Sequence, residues 1–448
     1  MKIALDTIRH SLEGAIPGVV ATCDANGIPN VSYVSQVHYV DSNQVALSFQ
    51  FFNKTRGNML ANPQLTAYLI DPETVARYRL ALLYLRTETD GPLFQNMKAK
   101  LAGIASHTGM AGVFELRGAD VCRVLDIERV PGAEAPRALP PYNWLTVLRA
   151  LGQRVAGCGD MARLFEEVLG GLEEMLDIRH SLLLMWDECG HKLYTVASRG
   201  YVQSGIGSEI PLGCGVIGVA AQYQTPIRIT HMATEYSYSK AVRENAGLDP
   251  QRLETAIPFP GLAEPHSQMA LPLLASGRLL GVLYVESEQD MRFGFEDEDG
   301  LSVLAQQIAL TLVQLQQAAD VETDTAAVAA GASPAGTRLP VRFYPANHSV
   351  FIGDDYLIKG VAGAILWRLL HYYVHENRTE FSNRELRLDK HLNLPDIDDN
   401  LEARLILLQR RLAEKSSALA IVKTGRGRFR LQVNQPVQLL EHEVGASF

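Results

Sequence analysis

Residues 51–58, FFNKTRGN, bring two cations and a hydroxyl close together after the alternating stretch NQVALSFQ. Lys54 and Arg56 can neutralise a bound anion, while Thr55 and the backbone N–H groups of a turn supply hydrogen-bond donors. The chemistry that this pattern indicates is phosphate binding. The alternative is a solvated basic turn after a strand, which needs no ligand.

A second concentration of cations lies in residues 401–433, which carry eight Lys or Arg and two Glu. This local excess of +6 (eight minus two) contrasts with the formal net charge of −9 for the whole chain. IDDNLEARLILLQRRLAEK has apolar residues at helical spacing, and IVKTGRGRFRLQV (421–433) reads as a hairpin with glycines at its tip. Cations on a helix and a hairpin are typical of nucleic-acid binding, because they pair with phosphates.

The cysteines give little support for a metal or redox site. They are odd in number, widely spread and without a CxxC pair. Cys189, His191 and Cys214 are candidate ligands, but their spacing matches no strong metal motif. The alternative is an exposed DECGH turn and a buried thiol. The five cysteines are Cys23, Cys122, Cys158, Cys189 and Cys214.

The compartment predicted from this cysteine usage is the reducing cytoplasm. The first residues, MKIALDTIRHSLEG, become polar too soon for a signal peptide. No apolar run approaches membrane-spanning length, so no membrane partner is expected.

Two stretches of linker composition divide the chain. VPGAEAPRALPPYN (130–143) is rich in Pro and Ala, and residues 319–338 are small, polar and of low complexity. We predict domains at 1–130, 143–318 and 339–435, with a flexible linker at 319–338.

The first segment shows short alternating strands with DANG and DSNQ turns, and the progression VSYV…LSFQFFNKTRGNMLANP. It resembles the pyridoxamine 5'-phosphate-oxidase-like split barrel, an antiparallel family that binds flavin mononucleotide (FMN), usually as dimers. The resemblance covers most of residues 1–130. It implies a flavin phosphate on the basic turn, and the alternatives are a barrel without cofactor or one that holds haem or a deazaflavin.

This resemblance implies six cofactor-binding residues. Lys54 and Arg56 would neutralise the phosphate and Thr55 would donate to it. Asn53 would bond the ribityl chain or the phosphate, and Ser35 and Gln36 would face the flavin ring. No acid–base pair or nucleophile stands out in this segment, so the residues support no catalytic role.

The middle segment begins with two amphipathic stretches, continues with strands and ends on the helical stretch EDEDGLSVLAQQIALTLVQLQQ. IPLGCGVIGVAAQYQTPIRITHM and ALPLLASGRLLGVLYVES resemble a GAF domain, a sensory α/β/α sandwich. The resemblance implies a small-molecule pocket under residues 231–261, and the alternatives are an iron–sulfur cluster or a domain without ligand. The closing helix carries an apolar stripe that we interpret as a dimer element, with ordinary packing on its own sheet as the alternative: Leu301, Leu304, Ile308, Leu312 and Leu315.

The last segment reads as short strands, three helices and a hairpin, with GVAGAILWRLLHYYVHEN and FSNRELRL as the first two helices. This order resembles the OmpR/PhoB-type winged helix over residues 339–433. The resemblance implies binding of double-stranded DNA, and a domain used only for protein contacts is the alternative. The residues expected to contact DNA are Arg404 and Arg410 from the helix and Lys423, Arg426 and Arg428 from the wing.

The sequence therefore predicts a multidomain α+β chain: an antiparallel split barrel, a GAF sandwich and a winged helix-turn-helix. The expected function is a cytoplasmic, homodimeric one-component transcriptional regulator whose first two domains sense a small molecule or redox signal. The alternatives are an FMN-dependent oxidoreductase with regulatory GAF and winged-helix parts, or a scaffold that only dimerises.

Overall fold

The chain folds as three successive units, which we call the N-terminal unit (residues 3–130), the middle unit (141–320) and the C-terminal unit (338–442). The computed structural model describes residues 3–50, 54–107, 116–137, 141–230, 257–320, 338–389, 392 and 401–442. The linker predicted at 319–338 lies almost entirely outside the described residues.

One antiparallel sheet organises the N-terminal unit. Its elements are a 3₁₀ helix (Leu5–Leu12), β1 (Gly18–Cys23), β2 (Pro29–Val34), β3 (Val37–Asp41), β4 (Gln44–Phe49), α1 (Lys54–Ala61), β5 (Gln64–Ile70), β6 (Arg77–Glu88), α2 (Pro92–His107) and β7 (Gly118–Val130). The seven strands lie in the order β2-β1-β5-β6-β7-β4-β3. The predicted turns are confirmed: Asp24 accepts from the backbone N–H groups of Asn26 and Ile28 at 2.9 Å, and Asp41 accepts from that of Asn43 at 2.8 Å.

The basic stretch after β4 differs from the prediction of a turn, because Lys54–Ala61 forms helix α1. Tertiary contacts account for the helix. Met59 and Asn58 are buried, and the Asn58 side-chain amide donates to Thr22 Oγ1 on β1 at 3.2 Å. Lys54, Thr55 and Arg56 therefore lie on the first turn of a helix.

The middle unit is a six-stranded antiparallel sheet with helices on both faces. Its elements are α3 (Trp144–Ala156), α4 (Met161–Leu176), β8 (His180–Asp187), β9 (Lys192–Arg199), β10 (Glu209–Pro211), α5 (Gly215–Tyr223), β11 (Ile227–Ile229), β12 (Ser267–Ala275), β13 (Arg278–Ser287) and α6 (Phe295–Asp320). The strand order is β10-β9-β8-β13-β12-β11. Helices α3, α4 and α6 cover one face and α5 covers the other, as expected for a sandwich.

Helix α6 forms where the closing helix was predicted, but its apolar stripe packs inside the middle unit. Leu301, Leu304, Ile308 and Leu312 are fully buried in one core with residues of α3, α4 and the sheet. The stripe interpreted as a dimer element is therefore an ordinary core face, which was the alternative interpretation.

The C-terminal unit has two small sheets around three helices. Its elements are β14 (Leu339–Tyr344), β15 (Ser349–Ile352), β16 (Asp355–Ile358), α7 (Gly360–Glu376), β17 (Glu380–Ser382), α8 (Asn383–Leu388), α9 (Leu401–Lys415), β18 (Leu419–Gly425), β19 (Arg428–Val433) and β20 (Val437–Glu441). The sheets have the orders β16-β15-β14-β20 and β17-β19-β18. Strand β20 pairs in parallel with β14, so this unit extends beyond the predicted end at residue 435.

No helix among the described residues is long and apolar enough to cross a membrane.

Candidate functional site

A cleft of about 460 Å³ opens beside the first turn of α1. This volume is in the range of small-molecule sites. Three residues predicted to bind a cofactor line it, namely Ser35, Thr55 and Arg56. Ser32 and Ser48 add further hydroxyl groups. The cleft therefore offers several hydroxyls and one guanidinium, a donor set that suits an anionic or hydroxylated ligand.

Arg56 is paired with a carboxylate inside the cleft, and the sequence around Arg56 did not predict this pairing. Its Nη1 atom donates to Asp120 Oδ1 on β7 at 2.5 Å, and its guanidinium lies 4.0 Å from the centre of the Phe49 ring. Asp120 is buried and also accepts from Thr87 Oγ1 at 2.5 Å. A bound phosphate would therefore share Arg56 with a buried carboxylate, which weakens the attraction.

Two other polar groups shape the cleft. The Thr55 hydroxyl is 2.7 Å from Ser32 Oγ and accepts from the Asn30 side-chain amide at 2.9 Å, so β2 holds it in place. Gln50 is buried in the wall, and its Oε1 atom has no hydrogen-bond partner among the described residues. An orphaned buried acceptor is costly, so a ligand donor there would stabilise the site.

Two of the other predicted cofactor residues, Lys54 and Gln36, do not line this cleft. Lys54 is exposed on α1 and is not among the lining residues. Gln36 is fully buried with its Nε2 atom 3.5 Å from His38 Nδ1. Asn53 lies outside the described residues.

A buried polar cluster surrounds Glu286 in the middle unit. Its carboxylate accepts from the backbone N–H of Leu262 at 2.8 Å, from Tyr284 at 2.8 Å and from the Gln268 side-chain amide at 3.3 Å. Burial raises the pKa of Glu286. The Oε1 atom of fully buried Gln268 has no hydrogen-bond partner among the described residues.

The cluster lies on the sheet face that α5 covers. Of the covering residues predicted at 231–261, residues 231–256 lie outside the part of the chain that the structure describes. In the part of the chain that the structure describes, no group of three or more His, Cys, Asp or Glu side chains is arranged to hold a metal ion.

Arg404, Arg410 and Lys423, which were predicted to contact DNA, lie close to carboxylates. Arg404 donates to Asp187 Oδ1 at 3.0 Å and Arg410 to Glu166 Oε1 at 2.5 Å. Lys423 lies 3.5 Å from Asp160 and from Glu402. The other two are on the hairpin, where Arg426 is exposed and Arg428 is half-buried.

Two family models match the chain. Residues 4–109 match the model described as pyridoxamine 5'-phosphate oxidase, and residues 160–312 match that of the GAF domain. The chain therefore contains an oxidase-like domain and a GAF domain. Neither match extends beyond residue 312. No curated protein matches the chain significantly.

Solved structures resemble parts of the chain. The GAF domain of an Acinetobacter phosphoenolpyruvate-protein phosphotransferase is 17% identical, with 40% of this chain and 97% of that chain covered and a TM-score of 0.32. An FMN-binding protein from Syntrophomonas wolfei subsp. wolfei is 17% identical, with 28% and 86% covered and a TM-score of 0.24. Free methionine-R-sulfoxide reductase from Neisseria meningitidis, in complex with its substrate, is 20% identical, with 39% and 91% covered and a TM-score of 0.32.

A buried charge network joins the oxidase-like domain to the GAF domain. Arg228 of β11 is fully buried, and its Nη1 atom donates to both carboxylate oxygens of Glu13 at 2.8 and 2.9 Å. Its Nε atom donates to Glu298 at 2.6 Å. Lys100 is also buried, with its Nζ atom 3.9 Å from Glu13. Burial lowers the pKa of Lys100 to about 8, and the nearby Arg228 contributes to this shift.

This network was not predicted, since its members are ordinary charged residues far apart in the sequence. Glu13 and Lys100 come from the oxidase-like domain, and Arg228 and Glu298 come from the GAF domain. Breaking one buried ion pair leaves its partner uncompensated. The network therefore holds the two domains in one defined arrangement.

Proposed function

We propose that this chain is a cytoplasmic one-component transcriptional regulator. The oxidase-like and GAF domains would sense a small molecule or redox signal, and the C-terminal unit would bind double-stranded DNA as a winged helix. The observation that carries the proposal is the basic hairpin β18–β19 beside helix α9, within a chain that is acidic overall.

The order of elements in the C-terminal unit supports DNA binding. Two small sheets accompany three helices, and a hairpin follows α9 directly. In a winged helix, the last helix enters the major groove and the hairpin contacts the backbone. Arg426 lies at the exposed turn of this hairpin, next to Gly427 with φ of +64°. A positive φ favours glycine. Because glycine has no Cβ atom, the backbone here can approach a phosphate closely.

The cleft in the oxidase-like domain supports FMN as its ligand. Its donors are Thr55, Ser32, Ser35 and Ser48 hydroxyls and the Arg56 guanidinium. Thr55 and Arg56 lie at the first turn of α1, where backbone N–H groups also favour an anion. Bound FMN would supply redox chemistry to the domain. The competing Asp120 carboxylate favours a ligand that exchanges over one that is held permanently, as a sensor requires.

The polar cluster around Glu286 supports a second, small ligand in the GAF domain. It combines a buried carboxylate, the Gln268 Oε1 atom that no described residue hydrogen-bonds, and two tyrosines, Tyr201 and Tyr284. These groups suit a ligand that carries hydrogen-bond donors.

An exposed apolar edge supports a homodimer. Strand β2 is at one end of the seven-stranded sheet, and Val31 and Tyr33 on it are 65% and 80% exposed. Edge strands with exposed apolar side chains are ready partners for a second chain. We propose that two copies associate through this edge.

Substitution of Arg426 tests the proposed DNA binding. We expect Arg426→Ala to weaken binding to all duplex sequences and to reduce the slope of log affinity against log salt by roughly 0.9, the value for one phosphate contact. Lys98→Ala, which removes an exposed lysine of α2, is the matched control and should leave both quantities unchanged. Fluorescence anisotropy of a labelled duplex measures them. Equal affinities and slopes for Arg426→Ala and the control would count against the hairpin as a DNA contact.

A further inference from the structure

We propose that the GAF domain keeps the C-terminal unit autoinhibited, because its acidic residues bind the same cations that DNA would bind. We call Asp160, Glu166 and Asp187 the acidic GAF surface. This inference rests on the proposed DNA-binding function and adds a mechanism of control to it.

Arg404 makes the most buried of these contacts. Its side chain is 4% exposed, and its Nη2 atom donates to Asp187 Oδ1 at the end of β8. Its guanidinium lies 5.4 Å from the centre of the Tyr194 ring on β9. Asp187 is itself only 10% exposed. A side chain placed in this way cannot reach a base edge, so DNA binding through Arg404 requires the two surfaces to separate.

Arg410 and Lys423 extend the same contact. Arg410 donates to the Val196 carbonyl at 2.7 Å and to Glu166 at 2.5 Å. Lys423 of the hairpin lies 3.5 Å from Asp160, which also caps helix α4. The acidic GAF surface therefore pairs with cations of both the helix and the hairpin, and these are the cations expected to bind phosphate.

Apolar packing continues between these ion pairs. Leu407 and Leu408 of α9 are buried in one continuous core that includes residues of the GAF domain. A Cβ atom at Gly207 would lie 3.6 Å from Leu407 Cδ1, so the Leu407 side chain reaches close to this glycine. The Ser204 hydroxyl donates to Glu414 at the end of α9 at 2.5 Å. Helix α9 is thus covered by its own unit on one side and by the GAF domain on the other.

The balance between docked and DNA-bound forms depends on charge. Neutralising Asp187 leaves the Arg404 charge buried without this carboxylate, which is costly and favours separation. Once separated, Arg404 is hydrated and available to pair with phosphate. The apparent DNA affinity of the full chain is its intrinsic affinity reduced by the fraction of molecules in the separated form.

The experiment compares DNA binding by the full-length wild type, Asp187→Asn/Glu166→Gln and the control Glu174→Gln. Glu174 is an exposed acid of α4 that pairs with Arg154 of α3, so its substitution alters charge away from the contact. Anisotropy with a labelled duplex gives the affinity, and small-angle X-ray scattering gives the radius of gyration. We expect the double variant to be more extended and to bind DNA about 5- to 150-fold more tightly than wild type, the usual range of coupling between sites. Glu174→Gln should behave as wild type.

Each other outcome decides a different point. An extended double variant whose DNA affinity equals that of wild type would overturn the autoinhibition and leave the DNA-binding function intact. No salt-dependent DNA binding by wild type or by an extended variant would remove the proposed function itself. If the double variant stays compact, Asp187→Lys places a like charge beside Arg404 and separates the surfaces. No gain in affinity by an extended Asp187→Lys would also overturn the inference.

Discussion

Replacing Arg228 with methionine should lower the free energy of unfolding by about 3–5 kcal/mol, the typical cost of removing one partner of a buried ion pair. Arg228 is fully buried, and Met leaves Glu13 without its hydrogen-bonded guanidinium, with the Lys100 Nζ atom 3.9 Å away. Glu298 loses its guanidinium partner as well. Because Glu13 and Glu298 lie in different domains, the substitution should also loosen the oxidase-like domain from the GAF domain. Urea unfolding followed by tryptophan fluorescence measures the stability.

A matched control separates burial from charge. Arg79→Met breaks an ion pair with Glu128 in which both side chains are more than half exposed, so it should have only the small effect of a surface pair. Adding Glu298→Gln to Arg228→Met should restore much of the stability, since the buried Lys100 then balances the one remaining buried carboxylate, Glu13. If Arg228→Met is as stable as Arg79→Met, the network does not hold the domains together.

The second large effect concerns FMN. Replacing both Lys54 and Arg56 with alanine should weaken FMN binding by at least about tenfold. A charge-assisted hydrogen bond contributes roughly 1.5–3 kcal/mol, so removing one lowers the affinity by about 10- to 150-fold. Arg56 lines the cleft and Lys54 lies two residues before it on the same helical turn. Quenching of flavin fluorescence in a titration gives the dissociation constants of wild type and variant.

Two controls assign the effect to the phosphate. Riboflavin lacks the phosphate, so its affinity should be similar in wild type and in the double variant. Asp120→Asn should act in the opposite direction and strengthen FMN binding, because it releases Arg56 from a buried carboxylate. An unchanged FMN affinity in Lys54→Ala/Arg56→Ala would remove these residues from the phosphate site. A wild type that fails to bind added FMN would remove the cofactor.

Local patterns were sufficient for most of the elements. The helix periods that predicted α3, α4 and α6 depend on one buried face, and each of these helices buries that face. The hairpin at 421–433 was predicted from alternation and glycines, and β18 and β19 pair across Arg426 and Gly427. Helix α1 was mistaken for a turn because its stability depends on tertiary contacts such as that of Asn58 with Thr22. Strand β20 was missed because its partner β14 is about a hundred residues away.

The site was less predictable because a charge does not reveal its partner. Thr55 and Arg56 were identified from residue type, and both line the cleft. The pairing of Arg56 with Asp120 joins residues 64 positions apart, and that of Arg404 with Asp187 joins residues 217 positions apart. Such pairs are set by domain packing. The same basic side chain can therefore face a phosphate or an internal carboxylate, and only the fold distinguishes them.

A short segment connects the GAF interior to the C-terminal unit. Tyr201 lies beside Glu286. Burial raises the pKa of Tyr201, and the negative charge of Glu286 raises it further. Ser204 and Gly207, a few residues later, contact Glu414 and Leu407 of α9. A ligand that moves Tyr201 would therefore disturb the surface on which α9 is docked. This gives the proposed sensor a direct physical route to the proposed DNA-binding helix.

Anisotropy of a labelled duplex titrated with the full-length wild type, with and without saturating FMN, tests most directly whether this chain couples sensing to DNA binding. The titrations are made at about 50 and 200 mM salt, where phosphate contacts change affinity strongly. We expect binding that weakens with salt and an affinity that FMN shifts by roughly 5- to 150-fold. The absence of binding at the lower salt concentration, with and without FMN, would contradict a DNA-binding regulator, and identical affinities in the two conditions would contradict its control by FMN.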